Sequence, residues 1–305
     1  MKRTDPAQRT AAGAAAALPI LLNDRAGAFK HANSLEELQQ MARLVGLEAE
    51  LIPTGSAQEL RETVRKLVAE GAPRLAVAGG DGTVSLAVQE LAHGDTVLGI
   101  LPLGTANNFA AALHIPQDLP SALRVLKEGV VLEVDLGEAG GHYFSEAAGT
   151  GLFADALALY GQGTNKNFFR GLYALLRVVL SLRAHGLRLI IDGEPHVERA
   201  VMCTVANSYR TAQAVPIAPG AKLTDGKLDV VVIGNLKLRE LLPYYRAVRA
   251  QLHASLPKVS RFQAKELRLE SRRPMNVHCD DQVVGTTPVT LTVHAGALKV
   301  LVERL

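Results

Sequence analysis

The first half of the chain alternates short apolar runs with amphipathic stretches, and this alternation restricts the possible folds more than any other feature. Leu18 to Leu22 and Leu75 to Ala78 are apolar runs of strand length, and Ala57 to Ala69 repeats its apolar residues at helical spacing. Strands that alternate with helices build βαβ units around a parallel sheet. The sequence therefore predicts an α/β domain with a parallel sheet at the N-terminus.

A glycine-rich turn interrupts this alternation after the third strand. Apolar residues recur behind it at i, i+3, i+4 and i+7, which predicts a helix with its N-terminus at Thr83. The first strand is expected to end at Asn23. The other expected elements are a helix at Leu35 to Val45 and strands at Ala49 to Ile52 and Val97 to Leu101.

From about Glu133 the pattern changes, because strand-like segments follow one another with turns between them. This succession predicts a second, mainly β domain with a sandwich-like arrangement. Its expected strands are Tyr143 to Ala147, Leu187 to Asp192, Ala200 to Ala206, Leu228 to Ile233, Val289 to Val293 and Leu298 to Val302. Two helical insertions are expected, at Asn167 to Ala184 and at Leu238 to Ala254, the latter bent or started at Pro243.

These changes divide the chain into four expected parts. Residues 1–17 are an Ala-rich, flexible lead-in, and 18–132 form the α/β domain. Residues 133–290 form the β-rich domain, and 291–305 are C-terminal strands that can return to the first domain.

Composition excludes several classes of protein. With a net charge of +3, 4% aromatic residues and no Trp, the 305-residue chain lacks the features of a nucleic-acid-binding protein. Its two cysteines, Cys203 and Cys279, are too few for a disulfide framework and fit a reducing cytosol. No run approaches the roughly 20 apolar residues that span a bilayer. We therefore expect a cytoplasmic protein whose contact with membranes is peripheral.

The turn after the third strand, Gly79 to Thr83, reads Gly-Gly-Asp-Gly-Thr. Glycines at such a turn let backbone N–H groups approach phosphate oxygens, and the helix end adds partial positive charge. No Lys follows in the pattern of a Walker loop. A carboxylate beside phosphates is repelled unless Mg²⁺ lies between them, so Asp81 indicates a metal–nucleotide complex. A glycine-rich turn in which Asp81 only caps the helix is the alternative.

A second motif follows at Pro102 to Ala110, which reads Pro-Leu-Gly-Thr-Ala-Asn-Asn-Phe-Ala. Together the two motifs resemble the catalytic domain shared by diacylglycerol kinases, sphingosine kinases and bacterial soluble lipid kinases. NAD kinases also carry the first motif, but they do not follow it with the second. The resemblance continues through Glu146 to Ala156, Ala206 to Ser208, Ala218 to Ala221 and Thr224 to Asp229.

The resemblance implies that the first domain binds ATP with Mg²⁺ and that the second domain receives the lipid. The glycine turn would wrap the ATP phosphates and Asp81 would organise Mg²⁺, while Thr54 and Thr105 would contact the nucleotide from facing segments. The nucleotide-binding residues implied in this way are Thr54, Gly79, Gly80, Asp81, Gly82, Thr83, Val84, Ser85, Gly104, Thr105 and Asn107.

The resemblance also implies a structural Mg²⁺ at the turn that begins at Thr224. Asp225 would supply its carboxylate, and Lys222 and Lys227 would supply main-chain oxygens. A hard cation in an oxygen-rich turn is chemically reasonable. An Asp-Gly turn without metal is the alternative.

The predicted catalytic segment departs from the family pattern. The family places Asp-Gly-Glu on a hairpin that faces the nucleotide, whereas this chain has Asp280-Asp281-Gln282. Asp280 matches the first carboxylate and would orient the lipid hydroxyl. Gln282 replaces the usual Glu and cannot accept a proton at neutral pH, so Asp280 or Asp281 would assume that role. Asn108 also replaces the Asp of the family's second motif, and Asn23 to Gly27 only loosely resembles its Asn-Pro-x-Ser-Gly loop.

These residues and the resemblance predict an ATP-dependent lipid kinase, with phosphorylation of diacylglycerol to phosphatidic acid as the expected reaction. Two alternatives remain open. One is an NAD kinase-like enzyme with a soluble substrate. The other is a nucleotide- or lipid-binding regulator with little or no activity, which the residues Gln282 and Asn108 suggest.

Both expected helical insertions interleave apolar and basic residues. A helix of this kind can lie on an anionic bilayer, which would bring a lipid kinase to its substrate. Two core-facing helices with solvated basic sides are the alternative.

Overall fold

The computed structural model describes residues 17–23, 34–161, 182–209, 215–252 and 256–304, together with 173, 176–177 and 179–180. Nearly all of the predicted lead-in and most of the insertion predicted at Asn167 to Ala184 lie outside these residues. Within the described residues, no helix is long and apolar enough to cross a membrane.

The first domain is built on four parallel strands. They are β1 Leu18–Asn23, β2 Ala49–Thr54, β3 Arg74–Gly79 and β4 Val97–Pro102. Their order in the sheet is β4–β3–β1–β2. β3 is buried almost throughout, as expected of a parallel strand with both faces covered.

Helices cover both faces of this sheet. They are α1 Ser34–Leu44, α2 Ala57–Ala69, α3 Asp81–Leu91, α4 Asn108–Ala112 and α5 Leu119–Glu128. Successive residues of β3 belong to two different core clusters, because strand side chains alternate between faces. One cluster holds Leu38 of α1 and Leu123 of α5, and the other holds Leu60 of α2 and Val88 of α3.

The second domain is mainly antiparallel. Its elements are β5 Val130–Ala139, β6 His142–Phe144, β7 Ala147–Gly151, α6 Leu152–Gly161, β8 His185–Ile191, β9 Glu194–Ala206, β10 Leu228–Gly234, α7 Leu238–Arg249, β11 Val259–Ala264, β12 Glu266–Ser271, β13 Asn276–Cys279, β14 Gln282–Thr286 and β15 Val289–Val302. The strands β14–β13–β7–β9–β8–β12–β15 are neighbours in that order.

The last strand, β15, connects the two domains. It pairs with β12 of the second domain, and its Val300 pairs in parallel with Leu98 of β4 in the first. It also runs antiparallel to β5, from Leu291 to Val302. The predicted boundary between residues 132 and 133 lies inside β5, so the two domains share this pair of strands.

The predicted fold class is confirmed: a parallel-sheet α/β domain is followed by a mainly β domain. The single strand predicted at Tyr143 to Ala147 is wrong, because β6 ends at Phe144 and β7 begins at Ala147. The main chain between them turns to bind a carboxylate, as described below. The helix predicted from Thr83 begins two residues earlier, at Asp81.

Two further expectations are corrected in the second half. Helix α7 begins at Leu238, as predicted, and ends at Arg249, five residues before the predicted end; Pro243 lies inside it, so the alternative that Pro243 starts the helix is wrong. The two strands predicted in the tail are one strand, β15, with a register shift between His294 and Leu298.

A matched pair of glycine substitutions tests the packing between β5 and β6. Gly137 lies opposite Phe144, and a Cβ at Gly137 would stand 2.0 Å from the phenyl ring. Phe144 is completely buried, so we expect Gly137→Ala to destabilise the protein by about 1–3 kcal/mol through overpacking. Thermal or urea unfolding followed by circular dichroism measures the change.

Gly186→Ala in β8 is the control for this experiment, because a Cβ there meets no atom within 4 Å. We expect it to leave stability within about 0.5 kcal/mol of wild type. Equal unfolding midpoints for the two variants would contradict the described packing.

Candidate active site

The glycine turn joins β3 to α3 at the C-terminal end of β3. Gly79 ends the strand, and Gly80 precedes the helix with an extended backbone at φ −93°. The N–H groups of Thr83 and Val84 donate to the carbonyl of Gly80 at 2.9 and 3.1 Å, which closes the turn. The N-terminus of α3 therefore lies directly at the turn, where its partial charge favours an anion.

The two sequence motifs meet through glycines. A Cβ at Gly104 would lie 2.4 Å from Cα of Gly80, so only glycine allows the loop after β4 to come this close. The N–H of Leu103 donates to the carbonyl of Gly79 at 2.9 Å. This close contact predicts that neither loop moves without the other.

A cleft of about 390 Å³ opens at this contact. It is lined by Asn23, Thr54, Ser56, Ala57, Leu60, Gly80, Gly82, Thr83, Leu86, Gly104 and Gln282. The side-chain amide of Asn23 donates to the hydroxyl of Thr83 at 3.1 Å. Thr54 lines the cleft, while its hydroxyl donates to the carbonyl of Leu22 at 2.9 Å.

The other predicted nucleotide residues lie beside the cleft, and their side chains have other contacts. Val84 and Ser85 are buried, and Val84 belongs to the core cluster that also contains Leu60 of α2. Thr105 is exposed and is not among the described residues that line the cleft. Asn107 has a left-handed backbone at φ 48°, and its side-chain oxygen accepts the N–H of Gly104 at 2.9 Å. Asn107 therefore holds the loop closed.

Asp81 caps a helix, but that helix is α4 and not the one that Asp81 begins. Its carboxylate accepts the backbone N–H groups of Asn107, Asn108 and Phe109. Burial raises the pKa of Asp81, and these hydrogen bonds oppose the increase. Asp81 thus connects the glycine turn to the second motif.

Asp280 lies between β13 and β14 with a left-handed backbone at φ 48°. Its carboxylate accepts three backbone N–H groups, from Ser145 at 3.1 Å, Glu146 at 2.9 Å and Ala147 at 3.2 Å. Burial raises the pKa of Asp280 to about 6; these amide hydrogen bonds oppose the increase, and the nearby Asp281 adds to it. The break between β6 and β7 exists because this segment binds Asp280.

Glu146 is a site residue that the sequence reasoning did not single out. It is buried, and the pKa of its carboxyl is raised well above the usual range, first by burial and then by the negative charges of Asp280 and Asp81. Glu146 also hydrogen-bonds to Asp81 through the side chains. The amide of Asn108 donates to its Oε2 at 3.0 Å. The sequence signals for it were an acid in a run of small and apolar residues and its place at the start of a segment that carries the family resemblance.

The turn between β13 and β14 faces the glycine turn. A Cβ at Gly82 would lie 3.4 Å from a carboxylate oxygen of Asp281, so these residues are close neighbours. Gln282 lines the cleft. His278, on the same hairpin, is buried, which lowers its pKa to about 4, and it packs edge-on against Phe153 at 4.7 Å. It is therefore a packing group.

The predicted metal turn lies apart from the residues that line the cleft. Asp225 is exposed and its carboxylate accepts the N–H of Lys227 at 3.1 Å, while Lys222 is also exposed. Asp229, which ends the same motif, has a buried Oδ2 without a hydrogen-bond partner, and burial raises its pKa. Asp135 of β5 ties the turn down by accepting the N–H of Gly226 at 2.7 Å.

These donors suit a hard cation, because an orphaned buried carboxylate oxygen close to a second acid favours positive charge. In the described part of the chain, no group of three or more His, Cys, Asp or Glu is arranged to hold a metal. A cation at this turn would therefore need main-chain oxygens to complete its ligands.

Comparison with known proteins agrees with this architecture. Residues 17–139 match the family described as the diacylglycerol kinase catalytic domain, and residues 160–302 match the YegS C-terminal NAD kinase beta sandwich-like domain. A diacylglycerol kinase of Staphylococcus carnosus (strain TM300) is 25% identical over 275 residues, which cover 88% of this chain and 89% of that protein. One of Staphylococcus aureus (strain MRSA252) is 26% identical over 275 residues, covering 88% and 87%.

Solved structures show the same fold. The crystal structure of a diacylglycerol kinase from Bacillus anthracis str. Sterne has a TM-score of 0.73 at 19% identity, covering 94% of this chain and 97% of that chain. A second crystal structure from the same organism has a TM-score of 0.78 at 20% identity, covering 94% and 95%.

The fold, the glycine turn in its cleft and these relatives define the class of the protein as a kinase. Residues 17–139 form a diacylglycerol kinase catalytic domain and residues 160–302 form a YegS C-terminal domain, which confirms the resemblance that the motifs predicted. Membership implies ATP and a divalent metal as the partners of the reaction.

Exchange of Asn108 for Asp tests the buried acids. A carboxylate at position 108 would lie about 3.0 Å from Glu146, where two negative charges cannot coexist without a proton. The folded-state pKa of the new group would exceed the unfolded value of about 3.9, so stability falls as pH rises above that value. We expect Asn108→Asp to lower the melting temperature more at pH 8 than at pH 5, measured by thermal denaturation.

Asn276→Asp is the matched control, because Asn276 donates to Asp155 at 2.9 Å in a less buried setting. We expect Asn276→Asp to show a smaller difference in melting temperature between pH 5 and pH 8. A melting temperature of Asn108→Asp that does not depend on pH would contradict the contact with Glu146.

Proposed function

We propose that this protein is an ATP-dependent lipid kinase that transfers the γ-phosphate of ATP to a lipid hydroxyl, with diacylglycerol as the acceptor. One observation carries the proposal: the turn that holds Asp280 and Asp281 faces the glycine turn at the cleft, with Asp281 next to Gly82. A nucleotide held by one turn and an acceptor hydroxyl oriented by the other would be in position for phosphoryl transfer. Diacylglycerol is the substrate in the names of the relatives.

The glycine turn would hold the ATP phosphates through the main-chain amides of residues 79–83 and the N-terminus of α3. Mg²⁺ bound with ATP would neutralise charge on the β- and γ-phosphates, with Asp81 as the adjacent acid. Asn107 and Asp81 would keep the second motif against this turn. At the separate metal turn, Asp225 and main-chain oxygens of Lys222 and Lys227 would hold a structural Mg²⁺, with Asp229 as an additional acid.

Asp280 is the proposed proton acceptor. The lipid hydroxyl oxygen would bond to the γ-phosphorus as the bond to the bridging oxygen of ADP breaks, and the hydroxyl proton would pass to the Asp280 carboxylate. Three amides fix the orientation of this carboxylate. Its pKa of about 6 makes it a better proton acceptor than an ordinary Asp, while it is still ionised at neutral pH.

A second candidate is a nucleotide- or lipid-binding regulator with little turnover. Gln282 lines the cleft where the family carries Glu, and Asn108 is a neutral donor to Glu146 where the family carries Asp. Restoration of turnover by Gln282→Glu, in a protein that binds ATP but does not transfer phosphate, would favour this candidate.

A phosphotransfer assay tests the proposed reaction. Purified protein is incubated with labelled ATP, Mg²⁺ and vesicles that contain diacylglycerol, ceramide or monoacylglycerol, and a parallel reaction contains NAD. We expect labelled phosphatidic acid from wild type. We expect Asp280→Asn to lower kcat by about 10²–10⁴-fold, because general-base assistance is lost. Asp81→Ala should also abolish labelling, since it detaches the second motif from the glycine turn.

Asp95→Asn is the matched control, because the Asp95 side chain is fully exposed, pairs with Lys299 at 2.7 Å and does not line the cleft. It should retain wild-type activity. No labelled lipid from wild type, or full activity of Asp81→Ala, would refute the lipid kinase proposal; labelled NADP from NAD would support the NAD kinase-like alternative.

The pH dependence of kcat provides a separate test of Asp280. Its base form is lost as pH falls through about 6, so we expect the rate to fall below that pH. Burial together with the charges of its neighbours Asp281, Glu146 and Asp81 keeps this group of acids from ionising freely. Asp281→Asn removes one of these charges and should move the midpoint of the pH profile to lower pH.

Asp118→Asn is the control for charge alone, because it removes an exposed carboxylate at the start of α5. It should leave the midpoint unchanged. A profile that is flat from pH 5 to pH 7, which spans the Asp280 pKa of about 6, would exclude Asp280 as the proton acceptor.

A further inference from the structure

Helix α7 holds a row of large apolar side chains in solvent. Leu238, Leu242 and Tyr245 are 54%, 56% and 54% exposed. At about 100° per residue, these three positions lie within about 60° of one another around the helix axis. They form one continuous surface, called here the α7 ridge.

The core of the second domain fixes the direction of the α7 ridge. Tyr244 and Val248, on another side of the helix, are buried in a core cluster with Ile217 and Val231. At the start of the helix, the carboxylate of Glu240 accepts the N–H of Lys237 at 2.7 Å, which caps the first turn. The ridge cannot turn inward without removing the buried side chains from the core.

Basic side chains border the ridge. Arg239, Arg246 and Arg249 are exposed, and Arg249 continues the line of the ridge at the end of the helix. Within the described residues, none of these three forms an ion pair with a carboxylate. Glu240 is the only acidic residue of the helix, and Lys258 pairs with it at 2.7 Å. The surface around the ridge is therefore positive.

A second set of exposed apolar residues lies shortly before β8 in the chain. Tyr173, Leu176 and Leu180 are 58%, 51% and 74% exposed. Leu182 and Ala184, which follow them in the chain, pack against the same core cluster as Tyr244 and Val248 of α7. Clustered exposed apolar side chains such as those of the α7 ridge mark an interaction site more often than scattered single residues do.

The charges distinguish between possible occupants. A second copy of this chain, docked ridge to ridge around a two-fold axis, would bring arginines of like charge together. A bilayer with anionic head groups suits both the apolar ridge and the arginines that border it. The apolar side chains would enter the membrane interface, and the arginines would remain at the lipid phosphates. We propose that the α7 ridge docks on an anionic lipid bilayer. This inference rests on the proposed function, because a kinase that phosphorylates a lipid must reach the bilayer that contains it.

Co-sedimentation with vesicles tests the inference without any measurement of activity. Full-length protein is mixed with vesicles of phosphatidylcholine alone, or of phosphatidylcholine with phosphatidylglycerol, at low and high salt. We expect binding to the anionic vesicles that weakens with salt. Arg239→Gln/Arg246→Gln should weaken it roughly 30-fold at low salt, and Leu242→Ser/Tyr245→Ser should weaken it at both salt concentrations.

Arg43→Gln/Leu44→Ser in α1 is the matched control, because it removes an exposed Arg and a Leu that is 79% exposed from the first domain. It should bind like wild type. The inference is overturned if both α7 variants bind anionic vesicles like wild type, or if the control loses as much binding as they do. It is also overturned if wild type binds neutral vesicles as well as anionic ones. It is also overturned if the α7 variants convert a dimer to a monomer in sedimentation equilibrium while vesicle binding is unchanged.

Phosphotransfer to a water-soluble short-chain diacylglycerol separates this inference from the proposed function. If wild type binds vesicles through α7 but phosphorylates no lipid, the kinase proposal fails and the docking surface stands. If the α7 variants phosphorylate the short-chain lipid normally but lose activity on vesicles, both stand. Normal activity of the α7 variants on vesicles would overturn the docking surface alone.

Discussion

The buried group of acids formed by Asp81, Glu146 and Asp280 is the constraint on which the rest of the site depends. Three carboxyl groups this close cannot all be ionised, and each is accommodated by protons or by amide donors. The backbone amides at the start of α4 bind Asp81, and the side-chain amide of Asn108 binds Glu146. The backbone amides between β6 and β7 bind Asp280. The acids therefore fix the relative positions of the elements around the cleft.

The shared strands β5 and β15 provide the larger frame. β15 pairs with β12 in one domain and with β4 in the other, so the hairpin with Asp280 and the turn with Gly82 belong to one continuous hydrogen-bonded sheet. In the proposed mechanism the first domain would supply main-chain amides for the ATP phosphates, and the second would supply the carboxylate of Asp280. A division of this kind suits a kinase, because the nucleotide and the acceptor must be held by different groups.

Much of the fold could be predicted because its signals are local. The βαβ alternation and the glycine turn depend on neighbours in sequence, and the strand and helix around Gly79 to Thr83 were placed within two residues. The break between β6 and β7 was missed because its cause, Asp280, is more than 130 residues away. The sequence predicted the start of α7 at Leu238 but left open whether Pro243 bends or starts the helix, and the cap formed by Glu240 excludes a start at Pro243.

The sequence by itself determined the two motifs, and with them the family, because glycines at a phosphate turn are required by backbone geometry and are visible as letters. It did not determine what each polar side chain contacts. Only the tertiary structure decided that Asp81 caps α4, that Asn107 closes its own loop, and that Glu146 lies between two other acids. The reason is that these contacts join segments distant in sequence, and burial then decides which of the acids keeps its proton.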